Sequence, residues 1–245
     1  MNKKKFIIIL GAYSDLAKSV VSNLTDYNLL LIGKSSRKLK SLKSKIKNSQ
    51  VITLSIDITD ENLGENIVRI CKKKKIKIYG AINFAGKHSI LPIKLINYNI
   101  FEDIYRNNVF GFINIVKFFS KYEKFIQTKS TIINISSVSS LKGNKSISLY
   151  SSSKAATNIL AKNFALELCK KNIRVNSIIL GHYEKGMSRE TVKFLNSEQL
   201  NELKSKHPLG FGKIKSLIGG IKFLLNSDND WITGIDLNID GGYSV

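Results

Sequence analysis

Seven short apolar runs, separated by longer stretches with helical periodicity, dominate this sequence. The runs are Phe6–Leu10, Leu29–Ile32, Val51–Ile56, Ala81–Phe84, Thr131–Ile135, Val175–Leu180 and Ile235–Ile239. Apolar residues fill most positions of each run rather than every second one, which is typical of strands covered on both faces. The sequence therefore predicts an α/β fold in which a doubly wound, seven-stranded parallel sheet carries helices on both faces.

Length and composition favour one domain. The chain has 245 residues and only 2 prolines, which leaves little material for a linker. Because 43% of the residues are hydrophobic and 23% are charged, disordered, collagen-like and disulfide-stapled classes are excluded. We predict a single domain over residues 1–245.

The strong positive charge is carried mainly by lysine. The formal net charge is +21, and the 39 basic residues comprise 34 lysines and 5 arginines. Proteins that read bases or grip phosphates usually rely on the planar arginine fork, so we predict no specific nucleic-acid partner. A nucleic-acid or membrane-surface binder stays an open alternative. No apolar run approaches the ~18 residues needed to span a bilayer, and no membrane partner is predicted.

The cysteines and histidines form no recognisable metal motif. Cys71 and Cys169 lie far apart in the sequence, which predicts reduced thiols and a cytoplasmic location. His88, His182 and His207 are scattered and lack acidic neighbours at ligand spacing, so no catalytic metal is predicted.

The first apolar run ends in a turn that could hold a pyrophosphate. The segment Gly11-Ala12-Tyr13-Ser14-Asp15-Leu16-Ala17 leads from this strand into a helix, where free N–H groups face an anion. Only Gly11 remains of the three glycines usual in such turns. An ordinary strand-to-helix turn with Asp15 as N-cap is an equally good interpretation.

A tyrosine and a lysine four residues apart suggest catalysis. Tyr150 and Lys154 would share one helix face, so that the ammonium could lower the pKa of the phenol. This spacing is common by chance. Ser137, at the end of a predicted strand, and Asn108 make an active site the better interpretation.

With these residues the chain resembles the short-chain dehydrogenase/reductase family over nearly its whole length. The shared motifs are Gly11 to Ala17, Asp57-Ile58-Thr59, Asn83-Phe84-Ala85-Gly86, Asn108, Ser137, Tyr150 with Lys154, Arg174-Val175-Asn176, Gly234 and Asp240-Gly241-Gly242. The resemblance implies a Rossmann-type domain that binds a nicotinamide dinucleotide and acts on a small carbonyl compound or alcohol. The closest general pattern is that of 3-oxoacyl carrier-protein reductases, and a catalytically silent dinucleotide-binding regulator is the alternative.

The resemblance also implies roles for the catalytic residues. Tyr150 would exchange a proton with the substrate oxygen as hydride is transferred. Lys154 would favour the phenolate and hold the nicotinamide ribose, Ser137 would orient the substrate oxygen, and Asn108 would support a water chain. The implied cofactor-binding residues are Gly11, Tyr13, Ser14, Asp15, Leu16, Lys34, Ser35, Arg37, Asp57, Ile58, Asn83, Ala85, Gly86, Tyr150, Lys154 and Gly181.

Within this set, Asp57 would contact the adenine, with Ile58 packed on its face. NAD-selective relatives carry an acidic residue where Gly33 stands, whereas Lys34, Ser35 and Arg37 offer partners for a 2′-phosphate. We therefore predict NADP(H) as the cofactor, with NAD less favoured.

Three further expectations concern the pocket and the assembly. Residues 182–206 would form a substrate lid with hinges at Gly181 and Gly186. Asp15 and Lys185 depart from the family pattern at the phosphates and at the nicotinamide. We also predict a homodimer or homotetramer built on helices over 101–121 and 150–170. The apolar face that suggests this assembly consists of Tyr105, Val109, Phe112, Val116 and Phe119.

Overall fold

The computed structural model describes residues 4–47, 50–183 and 196–245. Within them, seven parallel strands form one sheet in the order β3-β2-β1-β4-β5-β6-β7. The strands are β1 (Phe6–Leu10), β2 (Asn28–Gly33), β3 (Val51–Ser55), β4 (Ile78–Asn83), β5 (Ile126–Ser137), β6 (Ile173–Leu180) and β7 (Asp236–Ile239). The predicted doubly wound, seven-stranded parallel sheet is confirmed.

Eight α-helices connect or flank the strands of this described part. They are α1 (Asp15–Val21), α2 (Ser36–Lys43), α3 (Leu63–Lys74), α4 (Tyr98–Tyr105), α5 (Gly111–Lys121), α6 (Ser148–Leu168), α7 (Ser197–Ser205) and α8 (Ile214–Leu225). No described helix is long and apolar enough to cross a membrane.

The strand order places a crevice at the carboxyl edge of the sheet. After β3 the chain crosses to the other side of β1, which pairs with β2 on one side and β4 on the other. Leu10 aligns with Asn83, and Ser137 with Leu180, so the carboxyl ends of β1, β4, β5 and β6 meet at one edge. Ligands of open α/β sheets bind at such a switch point.

Two hydrophobic layers hold the sheet between them. On one face, fully buried side chains of α5 such as Phe112 and Phe119 pack with the strands. On the other, Val20 of α1 and Leu224 of α8 do the same. Burial on both faces explains why the strands lack alternating polar residues.

The long helix predicted over 101–121 is interrupted. A π-helical turn, Arg106–Phe110, separates α4 from α5. The face predicted for an oligomer interface is partly wrong, because Phe112, Val116 and Phe119 are buried within the chain. After the π turn these side chains pack into the core on one face of the sheet.

Two predicted details near the pocket also change. Ser14, not Asp15, is the N-cap of α1, and its hydroxyl accepts the Ala17 N–H at 3.3 Å. Of the predicted lid over 182–206, Lys185 and Gly186 lie outside the described residues. The described part of that segment contains α7.

Candidate active site

A cavity of about 930 Å³ opens at the carboxyl edge of the sheet. The cavity is lined by residues that follow β1, β4, β5 and β6 and by one face each of α6 and α7. Its wall includes Tyr13, Ser14, Asp15, Leu16, Lys38, Gly86, His88, Ser137, Tyr150, Lys154, Gly181, His182, Glu202, Leu203 and Lys206. The topology thus brings half of the sequence-predicted site residues to one place.

Tyr150 and Lys154 lie one turn apart on α6, as predicted. Both side chains are buried, and Lys154 Nζ lies 6.0 Å from the centroid of the Tyr150 ring. The ammonium is anchored by donation to the carbonyl oxygen of Ile135 at 2.9 Å. This bond ties the face of α6 that carries Tyr150 and Lys154 to the end of β5.

Burial moves the pKa values of this pair away from their usual ranges. Desolvation raises the pKa of Tyr150 to about 12, while a hydrogen bond with Ser137 acts in the opposite direction. Desolvation lowers the pKa of Lys154 to about 8. Desolvation is the largest influence on the Tyr150 pKa, and the expectation that Lys154 lowers this pKa stays a prediction.

Ser137 ends β5 and faces the cavity beside Tyr150. Its hydroxyl accepts the N–H of Ser139 at 3.2 Å, which fixes the side chain where the strand passes into a 3₁₀ turn. The structure thus places Ser137 next to Tyr150, and its role toward a substrate oxygen stays a prediction.

Asn108 occupies the π turn and is 1% exposed. Its amide nitrogen donates to the Lys87 carbonyl at 2.9 Å and to Ser153 Oγ at 2.8 Å, and its oxygen accepts the Lys87 N–H. Both amide hydrogens are already used, so a water held by Asn108 would have to donate to one of its oxygens. Its role in a water chain stays a prediction.

A buried polar network beneath the site was not predicted. Asn83 Nδ2 donates to Asn134 Oδ1 at 3.2 Å, and Asn134 Nδ2 donates to Thr157 Oγ1 at 3.1 Å. These hydrogen bonds join β4 and β5 to α6, where Thr157 lies one turn from Lys154. The signal available in the sequence was an asparagine within the apolar run at 131–135, where burial requires hydrogen-bond partners.

The cofactor turn after β1 depends on a glycine. Gly11 has φ +64°, and a Cβ there would lie 2.8 Å from the backbone of Ala85. Asp15, the departure from the family pattern, pairs with Lys18 at 3.1 Å. On the opposite wall a Cβ at Gly86 would lie 3.3 Å from Lys154 Nζ, so glycine keeps this part of the cavity open.

Tyr13 covers the position where NAD-selective relatives carry an acid. A Cβ built on Gly33 would lie 2.5 Å from the Tyr13 ring, and the Tyr13 hydroxyl accepts the Lys34 N–H at 3.2 Å. Lys38 Nζ lies 5.3 Å from the centroid of the same ring and reaches the cavity. Lys38 is a cation at this end that sequence reasoning missed, although it lies one residue beyond Arg37.

Other predicted adenosine-end residues lie outside the cavity wall. Lys34 Nζ pairs with Asp57 Oδ2 at 2.7 Å. Partial burial would raise the pKa of Asp57, but hydrogen bonds from Lys34 and Thr59 outweigh it and lower the pKa. Ser35 caps α2 through Lys38 N, and Arg37 is exposed.

Asp57 instead lines a recess of about 620 Å³ that also includes Thr59, Arg106 and Phe110. The Ile58 side chain belongs to the core and meets Gly111, where an added Cβ would lie against it. A contact of Ile58 with adenine would therefore have to use its backbone.

The three histidines, scattered in sequence, converge near the site. The His88 ring meets the Tyr150 ring edge-on at 4.6 Å between centroids. His182 and His207 lie 5.1 Å apart in a second edge-on pair. His88 and His182 each follow a strand that ends at the same sheet edge, which was the sequence signal for their proximity. Within the described ranges, no group of three or more His, Cys, Asp or Glu residues could hold a metal ion.

The chain is similar to known proteins over nearly its whole length. The profile of the short chain dehydrogenase family matches residues 5–196. The 3-oxoacyl-(acyl-carrier-protein) reductase FabG of Thermotoga maritima is 26% identical over 98% of this chain and 98% of its own. L-xylulose reductase of Caenorhabditis elegans is 25% identical over 98% of this chain and 96% of its own. A solved structure of ElxO with NADP bound is 30% identical, with a TM-score of 0.85 over 98% of this chain and 99% of that one.

Proposed function

The chain belongs to the short-chain dehydrogenase/reductase family of oxidoreductases, which bind a nicotinamide dinucleotide, and from this premise we propose that it interconverts a ketone and a secondary alcohol with NADP(H). Tyr150 is the general acid and base of this reaction. The observation that carries the proposal is the buried phenol, which shares one cavity with Ser137, Lys154 and the Gly11 turn.

The residues around the cavity fit a dinucleotide. Gly11 and Gly86 leave room where a side chain would meet backbone or Lys154, and the cavity of about 930 Å³ runs from Tyr13 to Gly181. Bound NADP(H) would supply or accept the hydride. Every proton in the reaction is then handled by the chain's own residues.

The proton on Tyr150 is the first of these. Because burial raises the pKa of this phenol to about 12, the phenol carries its proton at neutral pH and can donate this proton to a carbonyl oxygen. Ser137 donates a second hydrogen bond to the same oxygen as negative charge develops there. The lowered pKa of Lys154, about 8, makes this amine a group that can return a proton to Tyr150 at neutral pH.

We assign the cofactor as NADP(H) rather than NAD(H). Gly33 carries no carboxylate that would repel a 2′-phosphate, Lys38 lines this end of the cavity, and Lys34 and Arg37 lie close to Lys38 in the sequence. The relative of known structure with NADP bound supports the assignment. Lys34 would exchange its pairing with Asp57 for the phosphate, since both partners are anions.

The proposed activity is tested by NADPH consumption with a panel of ketones. The panel contains small aliphatic ketones, a ketopentose and an acetoacetyl thioester, which span the compounds named for the two relatives above. We expect loss of NADPH absorbance with at least one class. NADPH binding without turnover of any carbonyl compound would instead identify a silent dinucleotide-binding regulator.

We further propose a homodimer or homotetramer whose interface uses α4 and α6 rather than the apolar face of α5. The support is a set of exposed apolar side chains on α4 and α6, with Tyr98 72% and Leu166 76% exposed. Light scattering at micromolar concentration should give two or four times the 27.5 kDa mass of one chain. Leu166→Lys should shift the mass toward one chain, whereas a monomeric wild type would contradict the proposal.

The compartment is proposed to be the cytoplasm. Cys71 and Cys169 are both free, one buried and one exposed, which suits a reducing environment. The lid also stays a prediction, supported by α7, from which Gln199, Glu202 and Leu203 reach the cavity wall.

A further inference from the structure

A hydrogen-bonded histidine pair fixes the protonation of one cavity wall. His207 is 3% exposed, and its Nδ1 lies 2.9 Å from the carbonyl oxygen of Leu203 on α7. A carbonyl oxygen only accepts, so His207 Nδ1 must carry a hydrogen. The other nitrogen, Nε2, receives the backbone N–H of His182 at 3.2 Å and must therefore be the acceptor.

This assignment determines the tautomer of His182. Its Nδ1 lies 3.3 Å from His207 Nε2, which has only a lone pair to offer. Two lone pairs facing each other would repel, so His182 Nδ1 carries the hydrogen, and the single lone pair of His207 Nε2 is shared between this N–H and the His182 backbone N–H. The remaining nitrogen, Nε2, is left as an acceptor, and it has no hydrogen-bond partner among the residues that the structure describes.

His182 belongs to the wall of the cavity that holds Tyr150. Phe211 and Tyr243 flank its ring, with centroids at 6.1 and 5.9 Å. Burial, with smaller contributions from His207 and His88, lowers the pKa of His182 to about 4, in agreement with a neutral ring. Lys206 and Glu202, which also line the cavity, neutralise each other in an ion pair at 2.6 Å.

We propose that His182 is a specificity-determining residue whose Nε2 accepts a hydrogen bond from a substrate hydroxyl, so that hydroxylated ketones are preferred over ketones lacking this donor. The proposal rests on the proposed function and names the substrate class for that site. His207 is a positioning residue, because it acts by holding His182 in the accepting tautomer. A plain acyl chain offers no donor and would leave the acceptor unpaired.

Acetoin and butanone provide a matched test, because they differ by one hydroxyl beside the carbonyl. The quantity measured is the ratio of kcat/KM for acetoin to that for butanone, with NADPH in excess. We expect His182→Phe, which keeps a planar ring among Phe211 and Tyr243, to lower this ratio by about tenfold. Thermal melting checks that each variant is folded.

Two variants of His207 separate positioning from packing. His207→Gln retains an oxygen that can accept from His182 Nδ1 and should keep the wild-type ratio. His207→Leu fills the same space without an acceptor and should lower the ratio toward that of His182→Phe. Equal ratios in these two His207 variants would contradict the positioning role.

Long-range proton–nitrogen NMR spectra provide a readout that does not need turnover. We expect His182 at neutral pH to show a protonated Nδ1 and an unprotonated Nε2. A protonated Nε2, or an acetoin-to-butanone ratio unchanged by His182→Phe, would overturn the inference. If neither ketone nor any other carbonyl compound is turned over, the proposed function fails, while the NMR spectra still decide the tautomer.

Discussion

Tyr150→Phe is expected to lower kcat by at least about a hundredfold, because proton transfer by a positioned side chain contributes roughly 10²–10⁴ to the rate. The ring remains and keeps its edge contact with His88, so NADPH affinity should change by less than about threefold. Single-turnover kinetics and equilibrium titration with NADPH measure the two quantities separately.

Two other variants serve as a control and a comparison for Tyr150→Phe. Tyr122→Phe removes the same hydroxyl outside the cavity, where the ring packs on Phe118, and should leave kcat unchanged. Lys154→Ala should weaken both turnover and NADPH binding, because Lys154 is assigned to both. A Tyr150→Phe enzyme that keeps more than about a tenth of wild-type kcat, roughly 1.4 kcal/mol of barrier, would remove Tyr150 from its role.

NADPH should exceed NADH by at least tenfold in kcat/KM. A charge-assisted contact to phosphate is worth about 1.5–3 kcal/mol, or roughly ten- to a hundredfold in affinity. We propose that Lys34, Arg37 and Lys38 supply this charge, and Gly33 carries no opposing carboxylate.

To reverse this cofactor preference, Tyr13 must be changed together with Gly33 and Lys34. Gly33→Asp with Lys34→Ala would introduce a ribose acceptor and remove a cation, but the new Cβ would lie 2.5 Å from the Tyr13 ring. Adding Tyr13→Ser relieves this contact, and we expect the triple variant to prefer NADH. Tyr13→Ser alone is the matched control and should still prefer NADPH.

Steady-state kinetics with both cofactors at physiological salt measure the preference, since surface electrostatics are exaggerated at low salt. Equal use of NADPH and NADH by the wild type would contradict the cofactor assignment. A triple variant that still favours NADPH would place the phosphate contact on Lys38 or Arg37 instead of Lys34.

The sheet was predictable because the apolar pattern that identifies each strand is local in the sequence. Each strand buried on both faces is apolar along most of its length, and this pattern identifies it without knowledge of its neighbours. Strand ends were less certain. β5 spans Ile126–Ser137 and so begins before the apolar run at 131–135; Ile126 pairs with Ile78 of β4, and the register shifts before the next pair, Gly80 with Thr131.

The proposed catalytic residues come from a resemblance, which could not predict the packing around them. The desolvation that raises the Tyr150 pKa comes from packing of segments far apart in sequence, so a four-residue spacing could not reveal it. Likewise, His182 and His207 are separated by 25 residues and meet only because α7 returns to the end of β6. Long-range packing, not motif spacing, determines these electrostatics.

The π turn illustrates the same limit from the backbone side. Residues 101–121 have an uninterrupted helical period, which predicts one straight helix. The interruption at Arg106–Phe110 lets Asn108 reach both Lys87 and Ser153. Such a π turn is stabilised by contacts outside its own segment, which a local pattern does not contain.

Transfer of deuterium from labelled NADPH tests the central claim most directly. The chain is incubated with NADPH that carries deuterium on the reactive carbon of the nicotinamide ring and with a ketone from the panel. The account predicts an alcohol with deuterium on its carbinol carbon, formed by the wild type and at least about a hundredfold more slowly by Tyr150→Phe. NADPH binding without deuterium in any alcohol product, or equal transfer by both enzymes, would contradict it.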